Sequence, residues 1–347
     1  MVKRFAFAVP GDLSTPTGGY AYDRRIISEL GKLGWQIDIV GLGEGFPFPS
    51  EATLKAAHEH LLSIPPGRVV VVDGLALGVL PETARRLDRL VALVHHPLAV
   101  ESGISVEQAE NLRASEQAAL SAARHIVVTS AATAQQLSSH YAVPTKRMTV
   151  VRPGSDPVSP AQQSMEGTVR LLSVGAVVPR KGYDVLIAAL AALRDLPWRL
   201  TIAGDCTRHP NAAAQLKADI ERHGLVGRVA VLGAVSPQRL GELYAEADIF
   251  ALASRFEGYG MAYAEAISHG LPVVGTTAGA IPGTVPPDAG LLVAPDDASA
   301  FASALRRLIG DANERQRFAG AARSAARQLP TWPESAKLFS RTLEAVT

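Results

Sequence analysis

Short apolar runs alternate with amphipathic stretches from one end of the chain to the other. The runs are continuous, as in RFAFAV at 4–9, VVVV at 69–72 and LVALV at 90–94. Such runs, each followed by a helical pattern, predict parallel sheets covered by helices. Strands are expected at 4–9, 35–41, 69–72, 90–94, 125–129 and 149–151. A second series is expected at 169–174, 199–203, 229–232, 249–252, 273–274 and 291–293. Helical spacing marks 20–33, with Ile26, Ile27, Leu30 and Leu33 on one face, and then 106–123 and 131–140. Three more helical stretches, 297–308, 311–328 and 333–346, end the chain.

Between the two series lies GSDPVSPAQQSMEG, 154–167, rich in Pro, Ser and Gln and without an apolar period. The expected architecture is α/β, with two Rossmann-like doubly wound domains facing each other across a cleft. Their expected limits are 1–155 and 168–328, with 156–167 as linker and 329–347 as a terminal helix. In such sheets ligands bind beyond the carboxyl ends of the strands.

Composition narrows the picture. Of 347 residues 47% are apolar and the net charge is +1, so a sizeable core is expected and nothing suggests a nucleic-acid partner. Residues 1–155 carry 15 Lys+Arg and 14 Asp+Glu, which does not indicate a strongly basic membrane-docking half. One cysteine, Cys206, excludes an internal disulfide framework and fits a reducing compartment. MVKRFAFAVPGD has too short an apolar run for a signal peptide, and no run approaches bilayer length. The expectation is a cytoplasmic protein whose membrane association is at most peripheral.

The stretch that organises the chemistry is SRFEGYGMAYAEAISHGLPVVGTTAG, 254–279. It leaves a buried strand, turns through Gly258 and Gly260, and enters a short Ala-rich helix at Met261. Glu257 falls on the loop before that helix and Glu265 about one turn inside it. A carboxylate among Ala262, Ala264, Ala266 and Ile267 is costly to bury unless something polar meets it. The glycines allow close backbone approach, and a helix start offers N–H groups to an anion. Together they suit a ligand that is part phosphate and part polyol, although glutamates on a surface loop and helix can also be merely solvated.

F-E-G-Y-G-M-A-Y-A-E-A resembles the signature of glycosyltransferase family 4, enzymes of the GT-B fold that move sugars from nucleotide donors. That family carries F-E-G-x-G-x-x-x-x-E-A, and the chain has all of it. Further matches run along most of the chain. SVGAVVPRKG resembles the family's V-G-R-x-x-x-x-K-G, with Lys181 at the lysine and Ala176 where the family has arginine. Arg180 is the expected replacement for the lost guanidinium. Gly18-Gly19, which alone would read as an ordinary tight turn, stands where the family places a Gly-Gly. His95 and His96 close the run LVALVHH, where the family carries a histidine near the transferred sugar; successive strand residues face opposite ways, and His95 is the favoured one. LTIAGD with Gly204 resembles the nucleotide-holding turn, and 231–248 the segment beside the base.

The resemblance implies a retaining transfer of a sugar from a nucleoside diphosphate sugar to an acceptor hydroxyl. It implies His95, Arg180, Lys181 and Glu257 as catalytic, with Gly18, Gly19, Gly204, Gly258, Tyr259, Gly260, Met261 and Glu265 holding the donor. It also implies that 329–347 crosses back onto the N-terminal domain. No Asp-x-Asp pair and no His/Cys cluster of metal spacing occurs, so no metal and no other cofactor is expected. The acceptor is open: a saccharide, a lipid-linked sugar or a small molecule. Two alternatives stand beside transfer: an epimerase acting on the donor sugar, and a nucleotide-sugar-binding protein that has lost catalysis. GLGEG at 41–45 misses the dinucleotide fingerprint by one residue and is read as a loop. Pro153-Gly154 with Asp156 matches the family's P-x-G-x-D only loosely and is read as hinge.

Overall fold

The computed structural model describes residues 3–101, 103–158, 161 and 167–346. Much of the expected linker therefore lies outside the described residues. The chain divides into two units, residues 1–154 with 330–347, and 155–329.

The first unit holds a six-stranded sheet of β1 (Arg4–Val9), β2 (Gln36–Gly41), β3 (Val69–Asp73), β4 (Leu90–Val94), β5 (His125–Val128) and β6 (Met148–Val150). Every pairing is parallel, in the order β2-β1-β3-β4-β5-β6. Register puts Phe7 level with Ile39 on one side and Val71 on the other. All residues of β3 and β4 are buried, because helices cover both faces, and so these strands read as apolar runs broken only by Asp73 at the end of β3.

The second unit holds β7 (Val169–Val174), β8 (Trp198–Ala203), β9 (Val229–Val231), β10 (Ile249–Ala251), β11 (Val273–Thr276) and β12 (Gly290–Val293). Its order is β12-β11-β10-β7-β8-β9, again parallel throughout. The central pair β7–β10 is pinned by an ion pair between the buried Asp248 and the half-exposed Arg170. Asp248 accepts from the Arg170 backbone at 2.8 Å and from its guanidinium at 3.0 and 2.9 Å.

Expected and observed strands differ by a residue or two at their ends, where the last ladder bonds give out. His95 and His96 lie just past β4 rather than within it. The helix Glu51–Leu62 has no counterpart in the hydrophobic pattern, since only Ala57 and Leu61 of it are buried. Residues 42–50 form a loop, as expected for GLGEG, and Ser50 caps the helix that follows.

The terminal helix Trp332–Val346 belongs to the first unit. Ser340 accepts a hydrogen bond from the buried Trp35 indole at 2.9 Å, and Ser335 donates to the Arg152 carbonyl at 2.7 Å. At Gly154 a Cβ would stand 2.2 Å from the Trp332 nitrogen, so glycine there is required by packing against this helix. No helix among the described residues is long and apolar enough to cross a membrane.

Candidate functional site

Each sheet reverses its winding at one place, between β1 and β3 in the first unit and between β7 and β10 in the second. At such a switch point the two loops leaving the strands diverge and open a crevice at the carboxyl end of the sheet. Most of the sequence-predicted residues lie at or beside these two switch points.

In the second unit the loop after β7 runs through Gly175 to Gly182 and the loop after β10 through Ser254 to Gly260. They are knitted together closely. Gly182 has φ +62°, and a Cβ there would lie 2.0 Å from the Ala253 carbonyl oxygen. Arg255 donates to the Pro179 carbonyl at 2.6 Å and pairs with Asp184 at 2.7 Å. This close approach delivers Lys181 and Arg180 to Glu257. Lys181 Nζ donates to Glu257 Oε1 at 2.6 Å, Ser254 donates to the same oxygen at 2.6 Å, and Arg180 Nη1 stands 3.6 Å from Oε2. Arg180 also donates to the Phe256 carbonyl at 2.8 Å.

Glu257 is only 7% exposed. Burial alone would raise its pKa, but Lys181 and Arg180, with the Lys181 and Ser254 hydrogen bonds, outweigh burial and hold it below the ordinary carboxylate value. Its backbone is fixed as well: Ala280 N–H donates to the Glu257 carbonyl at 2.9 Å, and a Cβ on Gly279 would come within 2.3 Å of that oxygen.

Gly260, with φ +88°, starts the helix Met261–Ser268 with no side-chain cap. The first N–H groups of a helix lack intrahelical partners. Tyr259 is buried, its carbonyl accepting from Thr284 at 2.6 Å, while Gly258 and Met261 keep partial exposure. Glu265, one turn on, accepts from the buried Tyr244 hydroxyl at 2.8 Å. Burial raises its pKa and the Asp156 charge adds to that, against the Tyr244 hydrogen bond. Gly204 follows β8 and packs against the β7 turn, where a Cβ would be 1.9 Å from the Gly175 carbonyl oxygen. The second unit thus brings Arg180, Lys181 and Glu257 into one cluster.

In the first unit Gly18 and Gly19 open the helix Gly18–Lys32, capped by the Thr17 hydroxyl. Gly19 clears the edge of His95: a Cβ there would meet its Cδ2 at 3.3 Å. His95 Nε2 lies 3.1 Å from Asp23 Oδ1 and 3.7 Å from Asp73 Oδ2. Asp73 ends β3, and its Oδ1 accepts from Leu75 N–H at 2.7 Å. Burial would depress the imidazole, yet Asp23 and then Asp73 outweigh it and raise His95 to about 9. Asp73 itself is pushed up to about 7, by burial first and the Asp23 charge second. His96 turns elsewhere, with Nε2 3.3 Å from Glu101.

Among the described residues, Asp23, Asp73 and His95 form a group whose ligand-type atoms all lie within 4.8 Å of one another, the spacing a metal ion would accept. Sequence spacing could not reveal this trio, because its members come from three elements. The available signal was a lone carboxylate, Asp73, closing an otherwise apolar strand. Ser254 and Tyr244, which hold the two glutamates, were likewise not singled out.

The two sheets, with their surrounding helices, define the class: the GT-B fold of two Rossmann-like domains. Sucrose-phosphate synthase from Thermosynechococcus elongatus superposes with a TM-score of 0.83 at 21% identity, covering 99% of this chain and 100% of that one. The Anabaena protein HepE, solved in complex with UDP and glucose, gives 0.76 at 19% identity, covering 98% and 100%. Residues 157–325, nearly all of the second unit, match the family model described as Glycosyl transferases group 1.

Among curated relatives, D-inositol 3-phosphate glycosyltransferase of Xylanimonas cellulosilytica is 32% identical over 238 residues, 64% of this chain and 57% of the relative. MMP alpha-(1->4)-mannosyltransferase of Mycolicibacterium hassiacum is 29% identical over 310 residues, 83% of this chain and 73% of that protein. The chain thus spans little more than half the length of the first of these.

Proposed function

We propose that the protein is a retaining glycosyltransferase of the family 4 type, transferring a sugar from a nucleoside diphosphate sugar to an acceptor hydroxyl without a metal. The observation that carries this is the cluster of Lys181, Arg180 and Glu257 beside the uncapped start of the helix Met261–Ser268. Two cations against one carboxylate leave a net positive charge, and a helix start adds to it. Such a place suits a leaving diphosphate. The bond from the anomeric carbon to the diphosphate oxygen breaks as the acceptor oxygen bonds the same carbon from the same face. The acceptor proton passes to the departing diphosphate oxygen. Lys181, Arg180 and the helix start stabilise the charge that develops there.

Glu257 holds Lys181 in position and accepts from sugar hydroxyls, Glu265 accepts from the ribose hydroxyls, and His95 contacts the sugar. HepE, solved with UDP and glucose, supports a nucleoside diphosphate donor through its shared fold. The acceptor is a hydroxyl compound chosen by the first unit. A cytoplasmic setting, with at most peripheral membrane contact, fits this donor.

The test is a thermal-shift panel of UDP, GDP, ADP, their sugar conjugates and NAD. Binding to the folded state alone raises stability by about 2.7 kcal/mol at a hundred times the dissociation constant. One nucleoside diphosphate and its sugar conjugate should both shift the transition. A shift by NAD only, or by none of them, would overturn the donor-site reading. Conversion of the bound sugar without an acceptor would make the protein an epimerase instead.

A further inference from the structure

The trio of Asp23, Asp73 and His95 is built with more care than a sugar-contacting histidine requires. Asp23 is fully buried and sits on the helix Gly18–Lys32; its Oδ1 meets His95 Nε2 and its Oδ2 has no hydrogen-bond partner among the described residues. Asp73 arrives from the end of β3, 2% exposed. Tyr22 packs edge-on to the imidazole at 5.4 Å between centroids, and Gly19 borders its other carbon edge. From the end of β5, Thr129 donates to the His95 carbonyl at 3.2 Å, which fixes the backbone. The ring keeps 18% of its side-chain exposure, so it is the one member of the trio that still meets its surroundings.

We propose that Asp23 and Asp73 are positioning residues for His95: they hold its Nε2–H inward and so present Nδ1 as a charged N–H donor to an oxygen of the nucleotide sugar. A neutral imidazole whose Nε2–H is committed to a carboxylate would instead offer Nδ1 as an acceptor. A charged donor favours an electron-rich oxygen and stays a donor across neutral pH. The raised pKa of His95, about 9, agrees with this geometry. The charged groups facing the ring are Asp23 from the helix after β1 and Asp73 from β3, with the Tyr22 ring between helix and imidazole. The functional meaning of the donor rests on the glycosyl-transfer reading above, but its protonation does not.

The experiment is a pH titration of the full chain labelled with 15N-histidine, with the His95 signals assigned by their loss in His95→Gln. His95 should remain doubly protonated until about pH 9. Asp23→Asn should lower its midpoint by more than one pH unit and Asp73→Asn by less, while Asp23→Glu, which restores the carboxylate, should recover most of the loss. A wild-type midpoint at or below the ordinary value of about 6.5 would overturn the proposal. So would an unmoved midpoint in a folded Asp23→Asn protein. If Asp23→Asn does not fold, the wild-type midpoint and the Asp73→Asn shift decide. Selective broadening of the His95 signals by added Mn²⁺ near neutral pH would show a cation site and overturn it too. The titration needs no substrate: failure of the nucleotide panel leaves it standing, and its own failure leaves the donor site in the second unit untouched.

Discussion

The two units solve one topological problem with opposite electrostatics. Both are six-stranded parallel sheets, and both collect ionisable side chains where the winding reverses. At the β7/β10 switch, two cations surround one carboxylate, and Glu257 is held ionised. At the β1/β3 switch, two carboxylates surround one imidazole, and His95 is held charged. Neither cluster balances alone: two cations face one carboxylate in the second unit, and two carboxylates face one imidazole in the first. A shared fold therefore fixes where chemistry sits, while the few side chains at the strand ends decide its sign.

The sharpest way to break the comparison is to remove the cation that gives the second cluster its excess charge. Lys181→Ala should lower turnover by about 10²–10³-fold with whichever nucleotide sugar the binding panel selects. It also leaves Glu257 buried with the Ser254 hydroxyl and a single cation, Arg180, which should cost stability of about 3–5 kcal/mol. Glu257→Gln should lose turnover to a similar degree, with less damage to the fold. Unchanged kcat in Glu257→Gln would remove that residue from the site.

Next in size is the response to pH, where the two clusters should differ in sign. A group whose folded pKa is raised contributes stability below its unfolded value and loses it as pH rises through the folded one. For His95 that loss runs from about 6.5 to about 9 and amounts to at most about 3 kcal/mol. Asp73, raised to about 7, adds a loss that begins near its ordinary value of about 4. Glu257, with its lowered pKa, works the other way: its contribution is present above about 4.5 and disappears as pH falls through the lowered value. Glu265 is raised and opposes it within the same unit. Wild-type protein should melt at progressively lower temperature from pH 7 upward, and His95→Gln should flatten that slope. An equal slope in the variant would mean that His95 is not charged at neutral pH.

Gly182→Ala tests whether close backbone approach assembles the second cluster. Its Cβ would collide with the Ala253 carbonyl from a left-handed backbone, so a loss of about 1–3 kcal/mol is expected, together with weaker nucleotide binding. Normal stability and binding would show that the two loops need not touch. Smallest is Tyr244→Phe, which removes the hydroxyl that donates to Glu265. About 1 kcal/mol of stability should go, and nucleotide affinity should fall a few-fold with kcat little changed. A kcat loss as large as that of Lys181→Ala would move Glu265 from ribose binding into the chemistry.

Much of the fold was legible because parallel strands covered on both faces are mostly apolar: β4 is so throughout, and β3 is so up to Asp73 at its end. Helices that bury a broad face were legible for the same reason. The helix Glu51–Leu62 escaped because it buries too little to leave a stripe. The spacing of Glu257 and Glu265 and the Arg180-Lys181-Gly182 run placed the second cluster, since each is a local pattern. That Lys181 is paired with Glu257 was not legible, because 76 residues separate them and nothing local links them.

The sequence by itself determined the alternation of strand and helix, the glycines at the sharp turns and the residue types available at the strand ends. These are set by burial and backbone sterics within a few neighbours. Only the tertiary structure decided strand order, and with it which strand ends share a switch point. It alone brought Asp23, Asp73 and His95 together from three elements. Electrostatic character depends on distance and burial in space, and neither is written in the order of residues along the chain.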